Sequence, residues 1–238
     1  MKALRLACLR LLRTCAAGAP AAVLVCAVGA ANAEDTTPIS RAETLLFMTP
    51  HLEEVKPPAR LHYTFLKTGT LEKGFSDTVD IDITAEASGG KKGSTNFFSG
   101  EHKIHYPEVE HVQGNPVLLF YLEREIREMS RLTGGVAEHF RRRIRTALAE
   151  SARIKNVDIQ FQGRTLKAQQ IEISPYVTDP NRPKFDRLAD KEYFFVLCDE
   201  IPGDVYELRG LVRAPNGSSS DEPVVDETLK FSSAGAPK

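Results

Sequence analysis

His102, His105 and His111, interleaved with Glu101, Glu108 and Glu110, gather metal-ligating residue types in one short stretch. A zinc or copper site needs three or four such side chains converging on a point. On a strand, positions 102 and 105 face opposite sides, and no H-E-x-x-H sets two imidazoles one helical turn apart. The spacing predicts polar loop residues ahead of a helix and no metal ion. Gly89-Gly90-Lys91-Lys92-Gly93-Ser94-Thr95 has the composition of a phosphate loop without its order. There the lysine must follow the last glycine at a strand-to-helix junction, so that it and the backbone N–H groups converge on phosphate. Here the lysines precede Gly93, which predicts a hairpin turn. Cys198 closes the apolar run Tyr193–Leu197 with no base beside it in sequence, the setting of a small buried hydrophobe, not a nucleophile. No G-x-S-x-G occurs, and no cofactor is implied.

These residues must be positioned by a chain of 238 residues, 42% hydrophobic, which is enough to build a substantial core. With 31 basic and 32 acidic residues, the net charge of -1 gives no reason to expect nucleic acid as a partner. The amino terminus carries Lys2, Arg5, Arg10 and Arg13 without an acid, then an apolar run from Ala16 to Val28, then Ala31-Asn32-Ala33. This succession predicts a secretory signal peptide over 1–33, cut before Glu34, and hence the periplasm as localisation. Its removal leaves 27 basic against 32 acidic residues, a net -5, and takes away Cys8, Cys15 and Cys26. Cys198 then has no partner for an intramolecular disulfide, so stability must come from packing.

Ser40-Arg41-Ala42-Glu43 has the spacing of a capping box and predicts a short docking helix, stopped by Pro50. Leu61–Phe65 and Val79-Asp80-Ile81-Asp82-Ile83-Thr84 read as a hairpin, with Val79, Ile81 and Ile83 facing inward and Asp80 and Asp82 solvated. Asn115-Pro116 starts a helix that Gly134-Gly135 ends, with Leu118, Leu119, Leu122, Ile126, Met129 and Leu132 on one arc. A second helix runs from about Val136 to about Ser151. Strands follow around Val157–Phe161, Leu166–Ile173, Tyr193–Leu197 and Val205–Val212, the last two joined by a type II turn at Pro202-Gly203. Asp179-Pro180-Asn181-Arg182-Pro183 reads as a rigid surface loop with no reactive residue beside it. Residues 214–238, rich in Pro, Gly, Ser and acid, read as a flexible tail in which 228–231 adds at most an edge strand.

The helical pair concentrates positive charge. Arg141, Arg142 and Arg145 project away from the second helix's apolar arc as a rim for anionic head groups, a membrane surface or an acidic partner. Glu125 falls inside the first helix's apolar arc, where a carboxylate needs a cation, and Arg143 shows the matching anomaly on the second helix. A buried Glu125–Arg143 pair is one expectation; a rim glutamate reaching water is the other.

The predicted architecture is α+β: an antiparallel sheet of six to eight strands forming an open half-barrel, with an inserted helical hairpin and a short N-terminal helix, in one domain over 34–213. This element order, from about 40 to 213, resembles the periplasmic lipoprotein carriers of the lipoprotein-localisation type. Gly114-Asn115-Pro116-Val117-Leu118-Leu119 through Arg131-Leu132-Thr133-Gly134-Gly135 resembles uncharacterised exported proteins of Gram-negative bacteria. The first resemblance implies a non-enzymatic envelope protein that holds a lipid, a lipoprotein acyl chain or another apolar ligand between sheet and helices. On that reading Tyr63, Phe65, Val79, Ile81, Ile83 and Phe195 form the ligand-binding face. The alternative is a periplasmic hydrolase or transferase that brings distant carboxylates together in a cleft.

Overall fold

Eight strands form one antiparallel sheet in the computed structural model, which describes residues 38–87, 89–215 and 221–237. All belong to one unit running from Pro38 to the C-terminus. The expected signal peptide over 1–33 lies outside the described residues. The strands are β1 (Ala59–Thr68), β2 (Phe75–Ala85), β3 (Lys91–Phe97), β4 (Arg153–Phe161), β5 (Arg164–Ile173), β6 (Glu192–Leu197), β7 (Val205–Val212) and β8 (Val225–Gly235). They lie in the order β3-β2-β1-β8-β7-β6-β5-β4, so the sheet stays open, with β3 and β4 at its edges. The α+β class and the open antiparallel sheet are as the sequence predicts.

The supposed tail departs from expectation. Val225, Glu227, Leu229 and Phe231 are buried at alternate positions, and β8 pairs with β1 on one side and β7 on the other. It therefore zips together two halves that are each built of sequence-local hairpins, β1–β3 and β4–β7. Two features hide this strand in the sequence: flanks of Pro, Gly and Ser, and Glu227, a charge on the inward-facing period. The turn after β2 is also shorter than expected, since Lys91 and Lys92 already belong to β3.

Helix α1 (Arg41–Glu43) carries both arms of its capping box, Glu43 N to Ser40 Oγ at 3.1 Å and Ser40 N to Glu43 Oε2 at 2.9 Å. The chain continues in helical turns to Met48. Helix α2 (Val117–Thr133) and α3 (Ala137–Glu150) form the inserted hairpin between β3 and β4, and α4 (Arg182–Phe185) is a single turn in the β5–β6 connection. Pro116, not Asn115, is the N-cap of α2, yet Asn115 does the capping work: its Oδ1 accepts from Val117 N at 3.1 Å. Its amide donates to Tyr63 Oη and to Gly203 O, each at 2.8 Å, pinning the start of α2 to β1 and the β6–β7 turn. Gly203 has φ +78, and a Cβ there would lie 2.6 Å from Leu61 Cδ1, so the predicted type II turn demands glycine twice over.

The apolar arc of α2 is wider than its periodicity suggests. Leu119 is exposed, whereas Phe120, Tyr121, Arg124 and Glu125 are buried. No helix among the described residues is long and apolar enough to cross a membrane.

Candidate functional site

On β1 the inward period runs Leu61, Tyr63, Phe65 and then Lys67, so the apolar face ends in a buried charge. Lys67 stands opposite Glu227 of β8, and Glu227 opposite Gly210 of β7. Helix α2 lowers Arg124 and Glu125 onto this place, and Lys191, just before β6, reaches it from the far side. Lys67 Nζ lies 3.2 Å from Glu227, Arg124 Nη2 2.9 Å and Lys191 Nζ 3.0 Å. Glu125 is bound by Lys191 at 2.5 Å and by Arg124. A Cβ on Gly210 would sit 2.9 Å from Lys191 Cε and 3.1 Å from Glu125 Oε2, so the missing side chain makes room for the cluster.

The cluster is balanced. Burial works against every charge in it, but Lys191, Arg124 and Lys67 hold the Glu227 carboxyl well below the usual carboxylate range. Burial, with Glu227 nearby, pushes Glu125 up. Lys191, desolvated but facing Glu125 and Glu227, is held protonated above the ordinary lysine value. At its outer end Glu128 and Glu72 close the network on Arg131, with Arg131 Nε to Glu128 Oε2 at 2.6 Å and Arg131 Nη2 to Glu72 Oε2 at 2.7 Å.

Beside this outer end a cavity of about 370 Å³ opens between α2 and the β2–β3 end of the sheet. Phe75, Phe98 and Ile104 line it as apolar surface, and Arg124, Arg127, Glu128 and Arg131 descend from α2 as its polar wall. The aromatic wall is stacked: His102 lies on Phe75 with centroids 3.8 Å apart, and Phe98 packs 4.6 Å from Phe65. Phe98 adopts φ +63, a conformation a bulky side chain holds only when its surroundings fix it. Arg124 lies 4.9 Å above the Phe65 ring and Arg127 5.3 Å above Tyr106.

A second cavity, about 460 Å³, lies toward the N-terminal end of α2, lined by Leu45, His51, Lys167, Leu197, Cys198, Asp199 and Asp204 among others. His51 is locked there: its Nε2 lies 2.8 Å from Leu45 O and Asn115 N donates to its Nδ1 at 3.2 Å. Burial lowers its pKa. Desolvation, with Asp199 nearby, pushes Asp204 up to about 6. The Cys198 thiol is buried at the wall of this cavity, and desolvation raises its pKa, which disfavours the thiolate.

Tyr63, Phe65, Val79, Ile81, Ile83 and Phe195 are all fully or nearly fully buried. None of them lines either cavity; Phe65 comes nearest, beneath Phe98 and Arg124. Of the expected rim, Arg141 is committed to Glu123 at 2.9 Å and to Glu138, while Arg142 and Arg145 are exposed. The Glu125–Arg143 pair does not form. Arg143 binds Asp179 at 3.2 Å, and Asp179 also takes His139 Nε2 at 2.7 Å. The loop expected to stand apart from reactive residues is thus fastened to α3 through a buried carboxylate. Asp80 and Asp82 face outward but are paired, Asp82 with Arg60 at 2.6 Å and Asp80 with His62 at 2.6 Å. His105 is exposed, and His111 pairs with Glu86 at 2.7 Å. Among the described residues no three His, Cys, Asp or Glu side chains are arranged to hold a metal ion.

No protein-family model matches the chain, and no curated protein matches it. Among solved structures it is similar to the Mycobacterium tuberculosis lipoprotein LppX at 11% identity and a TM-score of 0.33, over 75% of this chain and 87% of that one. It is also similar to a chain of the Pseudomonas aeruginosa MucA/MucB complex at 16% identity and a TM-score of 0.32, over 79% of this chain and 56% of that one. A domain from Vibrio parahaemolyticus described as an outer-membrane lipoprotein-sorting protein aligns at 13% identity and a TM-score of 0.21, over 75% of this chain and 84% of that one. Likenesses of this degree say nothing of ligand or partner.

Proposed function

We propose that the protein is an exported, non-enzymatic protein of the cell envelope that binds an apolar or amphiphilic ligand, a lipid or the acyl chain of a lipoprotein. The observation that carries this is the cavity beside α2, whose Phe75, Phe98 and Ile104 wall continues through Phe65 into the apolar inner face of the sheet. An open cavity with an aromatic wall facing a charged one suits an amphiphile held by burial on one side and oriented by charge on the other. The signal-like amino terminus supports export to the periplasm.

A carboxylate-dependent hydrolase or transferase is the second reading, favoured by Asp204, which keeps its proton up to about pH 6 in the larger cavity with Asp199 beside it. Native mass spectrometry of protein purified from its own envelope separates the two. The binding reading expects co-purifying lipid on a chain that begins at Glu34. Protein that is free of lipid, and that takes up none from envelope extracts, contradicts it and leaves the carboxylate reading to be tested by Asp204→Asn.

A further inference from the structure

We infer that the cavity between α2 and the β2–β3 end accepts a singly charged anionic amphiphile, its head on Arg127 and its apolar part against Phe75, Phe98 and Ile104. The inference rests on the binding reading above and adds the charge and the seat of the ligand.

Arg124 is consumed by Glu125 and Glu227, and Arg131 by Glu128 and Glu72. Lys67 and Lys191 are taken up by the same carboxylates, so the four cations and four anions of the network cancel. Arg127 stands outside this network and is the one arginine of the cavity wall without a close carboxylate among the described residues. Its ion contact among the described residues is Glu123, 3.8 Å away, and both oxygens of Glu123 already accept from Nη2 of Arg141, at 2.9 and 3.0 Å. The Arg127 side chain is 54% exposed, at the mouth of the cavity, its guanidinium resting over Tyr106.

A guanidinium so placed offers a carboxylate or phosphodiester a pair of charge-assisted hydrogen bonds at the entrance to an apolar recess. A cation there would be repelled by the Arg127 guanidinium, and a neutral head would gain no ion pair. About 370 Å³ suits one short chain or a ring and not a two-chain lipid.

Isothermal titration calorimetry of the full chain with octanoate, octanol, octyltrimethylammonium and octanoyl-lysophosphatidylglycerol tests this. The two monoanions should bind about tenfold more tightly than octanol, and the ammonium more weakly than octanol. The tighter of the two anions identifies the head group as carboxylate or phosphodiester. Arg127→Gln, an exposed change that leaves the fold intact, should reduce the anions to the affinity of octanol. Arg142→Gln, the same change on the exposed face of α3, should leave them unaltered. Equal affinity for octanoate and octanol, unmoved by Arg127→Gln, overturns the anion seat while the binding reading stands. An anion preference lost with Arg142 moves the seat to α3 and overturns it too. Binding of none of the four probes removes both.

Discussion

Glu125 Oε2 lies 2.5 Å from Lys191 Nζ, with both side chains fully buried between α2 and the sheet. A carboxylate on the apolar arc of a helix needs such a cation, and this one comes from the approach to β6 instead of from the neighbouring helix. Removing either partner leaves a buried charge short of its counter-ion, which costs about 3–5 kcal/mol. Glu125→Gln and Lys191→Met should each destabilise by that order in urea unfolding. The double variant should lose clearly less than the two losses combined, because neither charge is then stranded. Additive losses would show that the two residues act independently.

Ile81 is fully buried on the inward period of β2, while its neighbour Asp82 faces outward onto Arg60. Ile81→Asp should abolish cooperative folding, since it buries an unpaired charge. Asp82→Ser gives up a part-exposed ion pair and should cost less than about 1 kcal/mol. Thermal melts of the two variants that coincide would place the wrong face of β2 inward.

Asp204 carries a pH signature of its own. Its carboxyl titrates at about 6 in the folded chain against an ordinary 3.8, so the folded state holds the proton more firmly. The stability this contributes is fully present below pH 3.8 and is lost as pH rises through about 6. At pH 7 Asp204→Asn should therefore be more stable than the parent by ~1–2 kcal/mol, after allowance for its partial exposure, with the difference vanishing near pH 4. Asparagine also tolerates the positive φ of +58 at this position. A stability difference that is constant with pH would mean that Asp204 titrates normally.

Ending the chain at Asp221 removes β8 and parts β1 from β7. Far-UV circular dichroism of that variant should show no cooperative unfolding transition. A cooperative melt would mean that the two halves of the sheet hold without their central strand.

The inward period of β2, the capping box of α1, the α2–α3 hairpin and the glycine turn before β7 are all legible in the sequence, because each rests on neighbours a few residues apart. What is not legible depends on distant partners. Glu227 makes β8 look like a polar tail until Lys67, Arg124 and Lys191 are seen around it. Glu125 announces that it needs a cation, but periodicity offers only the cations of α3 and cannot point to position 191. The cavity beside α2 joins residues 75 to 131, and no local spacing assigns Arg127 to it. Its one sequence-level sign is the crowding of arginines on α2, which the arginines of α3 obscure.

If the protein binds as proposed, an apolar chain enters beside α2, against Phe75, Phe98 and Ile104. Methyl NMR of isoleucine-labelled protein titrated with octanoate carrying a nitroxide at its chain end reads this out. The Ile104 methyl should broaden at the lowest additions, while Ile154 on the far edge strand β4 should stay sharp. Broadening of Ile154 first, or of neither, would contradict entry of the chain beside α2.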